Sequence, residues 1–233
     1  MFDQTIIRTA QAHAREQYPY ESCGLVVDGQ YISCTNTAAN PLKDFRLDPG
    51  EYIRAEGMGA VRGVIHSHPD GPDHPSRADM LGQMESGLVW GIVTVIKGAA
   101  LPPFFWGGDT PVPNLVGREF RHGITDCYGL VRDWYRLERH DLLPEYPRDD
   151  EWWLSGGNML LDNFKDAGFH IVDDAPRPGD VALLQICADT VNHCGVYIGQ
   201  GLMLHHLVNR CSRKDPMGRW HKHTRLMVRR DGA

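Results

Sequence analysis

The chain has 233 residues, 42% of them hydrophobic and 23% charged, with 24 Lys+Arg against 30 Asp+Glu for a formal net charge of −6. That composition is ordinary for globular protein and long enough for two small domains, each with a modest core. The slight acidity gives no electrostatic reason to expect nucleic acid or an anionic membrane as partner, and no apolar run approaches the ~20 residues of a membrane helix. Met1-Phe2-Asp3-Gln4 lacks the basic and apolar regions of a secretory signal. Synthesis in a reducing cytosol is therefore expected, and the six scattered cysteines are not read as a disulfide framework.

In chain order, Thr5 to Gln17 carries Ile6, Ile7, Ala10 and Ala14 at helical spacing. Leu25 to Ile32 reads as a hairpin turning on Asp28-Gly29. Arg46 to Gly59 is predicted to be a second helix, Arg62 to His68 a strand running into the loop Pro69 to Pro75, and Ser76 the start of a short helix. Val89 to Lys97 is a buried strand. The Gly/Pro-rich stretch from Gly107 to Asn114 reads as a linker, so domains are expected over 1–108 and 118–233, joined by 109–117. Beyond it, Cys127 to His140 and Asn158 to Gly168 are predicted helices, and Val181 to Ile186, His193 to Ile198 and Leu202 to Val208 are predicted strands. Arg225 to Arg230 is basic but reads as a solvated end. Both halves mix helix and strand with antiparallel pairing, so the class is α+β.

The chain holds 12 histidines, and their spacing matters more than their number. His66-Ser67-His68 closes a strand, where residues two apart face the same way, so both imidazoles can converge on one ion. Ser76 suits the cap of the helix that follows, and Asp79 lies in its first turn. Two histidines and an aspartate leave a fourth zinc position open to water, as in catalytic rather than structural sites. His74, Asp70 and Asp73 read as loop residues, and Cys23 as a small buried neighbour of Glu21. The pattern H-x-H-x7-S-x2-D, with Glu21 upstream in Glu21-Ser22-Cys23-Gly24, resembles the JAMM metallopeptidases. That resemblance implies a cytidine-deaminase-like α/β/α sheet, His66, His68 and Asp79 as Zn2+ ligands, Glu21 as general base and Ser76 as support for the tetrahedral intermediate.

Downstream, Asp126-Cys127-Tyr128-Gly129-Leu130 places a cysteine at a helix N-terminus, where the partial positive charge favours thiolate. His193, opening His193-Cys194-Gly195-Val196-Tyr197, is its candidate base, and a third group must orient the imidazole. A two-residue hairpin turn would bring His206 to the face of His193, whereas a three-residue loop would bring His205. The segments D-C-x-G-L, P-G-D and H-x-G-x-Y-x-G resemble the NlpC-type papain-like peptidases, which implies Cys127 as nucleophile, His193 as base and His205 as third member. Tyr128 departs from the usual serine after the nucleophile, and Phe120 stands where that family often has tyrosine. Cys187, Cys194 and Cys211 read as inert, His170, His221 and His223 as surface residues, and Trp152-Trp153 as core or lid packing.

The two halves in this order resemble the tail-assembly protein K family of long-tailed phages. By implication the protein is a hydrolase of the phage tail tip, made in the host cytoplasm. Its JAMM half would cut an amide or isopeptide bond, and its NlpC half peptide cross-bridges of peptidoglycan, with tail-tip proteins as partners. A structural or maturation factor acting only on a tail protein is the alternative.

Overall fold

A computed structural model describes residues 2–230. The chain divides into two compact units, Met1–Pro111 and Val112–Ala233.

In the first unit, α1 (Gln4–Gln17) starts where the Asp3 carboxylate accepts from the backbone N–H groups of Thr5 and Ile6, and it buries Ile6, Ala10 and Ala14. β1 (Cys23–Val27) and β2 (Gln30–Cys34) form the expected hairpin. α2 (Pro49–Glu56) is shorter than the predicted Arg46 to Gly59. Asp48 caps it and proline opens it, while Arg46 is held outside by its backbone bonds to Asn36 and Thr37. β3 (Val61–Pro69), α3 (Arg77–Ser86) and β4 (Val89–Ile96) make a strand–helix–strand unit, and β3 pairs with β4 in parallel. Two short strands not expected from the sequence, β5 (Ala99–Ala100) and β6 (Phe104–Trp106), both pair with β4. The strand order is β2-β1-β3-β4-β5. α1 packs its apolar stripe on Val26, Ile65, Val93 and Val95.

The second unit opens with α4 (Cys127–Glu138) and α5 (Met159–Asn163). The predicted helix to Gly168 stops at Asn163 and continues as turns, because the chain must reverse at Gly168 to enter β7 (Phe169–Val172). Then follow β8 (Val181–Leu184), β9 (His193–Tyr197), β10 (Leu202–His205) and β11 (Arg213–Pro216). A 3-10 turn over Met217–Trp220 leads to β12 (Thr224–Arg230). All pairs are antiparallel, in the order β11-β10-β9-β8-β12-β7. The basic stretch expected to be a solvated end is therefore an interior strand. Val228 faces the core, while Arg229 bonds Asp174 and Asp180 and Arg230 bonds Asp141, so each cation is paired on leaving water. α4 buries Leu130, Val131, Trp134 and Tyr135 against Val196 and Leu204, and Trp152 joins this core as expected. The stretch expected to link the domains is anchored at its far end: Leu115 packs on this core and the Gly117 N–H donates to the Ser212 carbonyl at 2.8 Å.

Candidate functional site

The first cluster forms at the carboxyl end of β3, where the parallel crossover through α3 begins. His66 and His68 project from one face of the strand, and both are buried. His68 Nδ1 lies 2.9 Å from the Pro72 carbonyl, so it carries the proton and leaves Nε2 a lone pair. That lone pair faces His66 Nε2 at 3.0 Å. α3 delivers the third donor through a reciprocal cap. The Asp79 N–H donates to Ser76 Oγ at 3.1 Å, while the Ser76 N–H and hydroxyl donate to Asp79 Oδ2 at 2.8 and 2.7 Å. Asp79 Oδ1 stands 3.3 Å from His66 Nε2, and Oδ2 3.4 Å from His68 Nε2.

These separations can be tested against an ion. Ligands about 2.0–2.1 Å from zinc in tetrahedral array sit about 3.3 Å apart, and the contacts of 3.0, 3.3 and 3.4 Å here, the last two to different Asp79 oxygens, lie close to that spacing. Among the described residues this is the one group of three or more His, Cys, Asp or Glu able to hold a metal. Burial alone would raise the Asp79 carboxyl, but His66 and His68 beside it hold it well below the carboxylate range. Burial lowers His66; it opposes protonation of His68 too, yet there Asp79 outweighs it and raises the ring.

Glu21 sits one residue short of the Ser22–Ser67 contact that extends the β1–β3 pairing, level with His68. It is buried, and burial raises its carboxyl to about 8 against the pull of His68. It lines an open cleft of about 500 Å³ with His13, Tyr20, Asn36 and Glu51. Phe45 stacks on His66 at 4.5 Å, with Trp90 edge-on at 5.7 Å; this aromatic wall carries no signal in the sequence spacing. His74 pairs with Asp73, and Asp70, expected to be solvated, accepts from the Tyr18 hydroxyl and the Lys97 N–H.

In the second unit the Asp126 carboxylate caps α4 by accepting from the Gly129 N–H at 2.9 Å, and the Gly123 N–H and Arg148 bind its other oxygen. Burial works to raise this carboxyl, but Arg148 and the Gly129 N–H hold it at about 2. Cys127 is thereby placed, half-buried, in the first turn. Its thiol is lowered by a hydrogen bond from Cys194 first and by His193 next, against burial; Cys194 is raised in turn. Cys194, expected to be an inert neighbour, is thus a contact of the candidate nucleophile.

β9 and β10 are joined through Gly199, Gln200 and Gly201, with Ile198 N–H bonded to the Leu202 carbonyl. This three-residue connection pairs Gly195 with His205 and turns His205 to the face of His193. His193 Nε2 and His205 Nδ1 are 3.1 Å apart. His206 turns away to the Arg210 carbonyl at 3.0 Å and meets Phe120 edge-on at 5.2 Å. Gly195 is needed for this approach, since a Cβ there would lie 2.9 Å from His205 Cβ and 2.8 Å from Met203. Tyr128 points into the core, its hydroxyl donating to the Pro144 carbonyl at 2.8 Å.

Sequence reasoning missed Arg148, which arrives from a distant loop, and Asp215. The latter's Oδ2 is 3.2 Å from His205 Nε2 and accepts from Arg213 at 3.1 Å. Its signal was the alternation Arg213-Lys214-Asp215, which puts both charges on one strand face.

The family model described as "NlpC/P60 family" matches residues 102–230, and that of "Prokaryotic homologs of the JAB domain" matches residues 3–106. The chain thus joins a JAB-type domain to an NlpC/P60 domain, in the order expected. "Tail tip assembly protein K" of Escherichia phage N15 is 34% identical over 97% of this chain and 94% of its own length. The protein of the same name from Escherichia phage lambda is 35% identical over 78% of this chain and 88% of its own. The chain belongs to this tail tip assembly protein K family. Among solved structures, NlpC1 from Trichomonas vaginalis is similar at 13% identity and a TM-score of 0.34, over 91% of this chain and 68% of that one.

Proposed function

We propose that the chain is a tail-tip assembly factor that matures a tail protein by hydrolysis at two sites, one a zinc metallopeptidase site and one a thiol peptidase site. The observation that carries this reading is the convergence of both donor sets, His66/His68/Asp79 and Cys127/His193/His205, in a chain alike from end to end to tail tip assembly proteins.

At the first site His66, His68 and Asp79 would hold the ion, which supplies Lewis acidity and lowers the pKa of water. Glu21, whose buried carboxyl a bound cation would bring down from about 8 to the ionised form, would accept the proton lost by the attacking water and pass it to the leaving amine. Ser76 fixes Asp79; to support the tetrahedral intermediate its hydroxyl must swing from Asp79 Oδ2 to the substrate. At the second site the Cys127 thiol gives its proton to His193 and sulfur attacks the scissile carbonyl, whose oxygen faces the N–H groups opening α4. His193 then protonates the leaving amine; neutral again, it takes a proton from the water that attacks the thioester and returns it to the departing Cys127 sulfur, releasing the acid. His205 orients His193.

A second reading, favoured by the NlpC/P60 match over the C-terminal unit, is that the thiol site hydrolyses stem peptides of peptidoglycan, with the protein carried at the virion tail tip. No helix among the described residues is long and apolar enough to cross a membrane, and neither reading requires one. Mass spectrometry of purified tail proteins and of purified peptidoglycan, each incubated with the zinc-loaded chain, decides. A truncated tail protein, lost in Glu21→Gln or Cys127→Ser, bears out the first reading. Peptides released from peptidoglycan alone favour the second, and no product from either substrate refutes both.

A further inference from the structure

The contacts of the thiol site do not stop at His205. Its Nε2 is 3.2 Å from Asp215 Oδ2, and the same oxygen accepts from Arg213 at 3.1 Å. Both His205 and Asp215 are buried, and Trp220 covers the His205 ring edge-on at 4.7 Å. Water is thereby kept from supplying alternative partners to this ring.

A carboxylate only accepts, so His205 Nε2 must carry hydrogen. Burial, then the neighbouring His193, lowers His205 to about 4 despite Asp215, so the ring is neutral near pH 7 and its Nδ1 is bare. A bare His205 Nδ1 at 3.1 Å from His193 Nε2 requires that His193 donate there. Neutral His193 is left with its lone pair on Nδ1, the nitrogen not used by His205. That is the form able to take a proton from Cys127.

We propose that Asp215 is a positioning residue of the thiol site: through His205 it fixes the tautomer of His193, leaving Nδ1 as the base toward Cys127. Against burial, the hydrogen bond from His205 and then the Arg213 guanidinium keep Asp215 ionised and aimed. The proton moves only from Cys127 sulfur to His193 Nδ1, while the His193–His205–Asp215 hydrogen bonds keep their direction throughout. The inference rests on the thiol-peptidase reading of Cys127. It goes beyond the Cys–His–His trio, because a side chain not touching His193 or Cys127 sets which nitrogen is the base.

Asp215→Asn tests it. A carboxamide can donate to His205 Nε2, which lets His205 move its hydrogen to Nδ1, pointing at His193 Nε2. His193 must then accept from His205, placing its own hydrogen on Nδ1 and removing the base. Nitrogen-15 NMR of labelled histidines in the full chain should show His205 as the Nε2–H form and hydrogen on His193 Nε2 in the wild type, and His205 as the Nδ1–H form in Asp215→Asn. Iodoacetamide alkylation of Cys127 at pH 7 should slow by about 10- to 100-fold, by analogy with losing the outer hydrogen-bond partner of a metal-ligating histidine, and Asp215→Glu should restore the Nε2–H form and part of the rate. An Nδ1–H His205 in the wild type overturns the proposal without any variant, as do unchanged tautomers and rate in a folded Asp215→Asn. If wild-type Cys127 reacts no faster than Cys211 while the tautomers are as stated, the thiol-peptidase reading fails and Asp215 loses its role with it. That result is distinct from a wrong tautomer.

Discussion

At the scale of single residues, both candidate sites fix which atom is offered through a second bond. The Pro72 carbonyl accepts from His68 Nδ1–H and so leaves the Nε2 lone pair for an ion, and the Ser76 N–H and hydroxyl both hold Asp79 Oδ2. His66→Ala and Asp79→Ala should each abolish zinc retention after gel filtration, measured by atomic absorption, because two protein donors hold zinc far more weakly than three. Glu21→Gln should keep about one zinc per chain and lose hydrolysis by about 10²–10⁴-fold, the usual contribution of a general base. Zinc loss in Glu21→Gln would make Glu21 a ligand instead. At the other site, Cys127 should alkylate much faster near neutral pH than exposed Cys187 and Cys211, and His193→Ala should move its pH–rate midpoint upward. A midpoint unchanged by that substitution would break the Cys127–His193 pairing.

At the scale of elements, the start of α4 is where fold and site share the same atoms. Asp126 caps the helix, binds buried Arg148 and sets the position of Cys127. Its carboxyl is depressed to about 2 in the folded chain, against about 3.9 unfolded. A depressed acid contributes stability above its unfolded pKa and loses it as pH falls through the folded one. On the order of 2 kcal/mol should therefore disappear between about pH 4 and pH 2, read as the midpoint of urea unfolding against pH. Asp126→Asn should flatten that slope, and it should cost about 3–5 kcal/mol at pH 7 by stranding the Arg148 guanidinium. A steep acid slope surviving in Asp126→Asn would assign the effect elsewhere. Gly129 is fixed by the same turn, since a Cβ there would lie 1.9 Å from the Ile124 carbonyl oxygen.

These elements also explain what was legible beforehand. His66, His68, Ser76 and Asp79 are local, carried by one strand end and the first turn of the next helix, so spacing and strand periodicity alone reach them. The choice of His205 over His206 depended on loop length, which Gly199-Gln200-Gly201 left open until the pairing of Gly195 with His205 was seen. Arg148 and Cys194 were illegible as site residues because each meets the site through tertiary packing, and the Arg213-Lys214-Asp215 alternation placed Asp215 on a strand face without saying which site that face meets. The basic end was misread for a related reason: Arg229 and Arg230 look solvated until β12 inserts between β8 and β7, where they meet Asp180 beside β8 and Asp141 after α4.

At the scale of the molecule, each unit encloses a complete donor set on its own sheet. The metal cluster draws on β3 and α3, within Met1–Pro111, and the thiol chain on α4, β9, β10 and β11, within Val112–Ala233. Each also has its own hydrophobic core, which is the condition for folding alone. A fragment beginning at Val112 should therefore be monodisperse and unfold cooperatively. Its Cys127 alkylation rate should lie within about twofold of the full chain's, because no side chain of its triad comes from outside the unit and separate sites act additively. Chelation with EDTA should empty the metal site of the full chain and stop its hydrolysis, yet leave that alkylation rate unchanged. Cys127→Ser should in turn leave zinc bound. An insoluble fragment, or thiol reactivity that falls when the metal is removed, would mean that the two units depend on one another for folding or for chemistry.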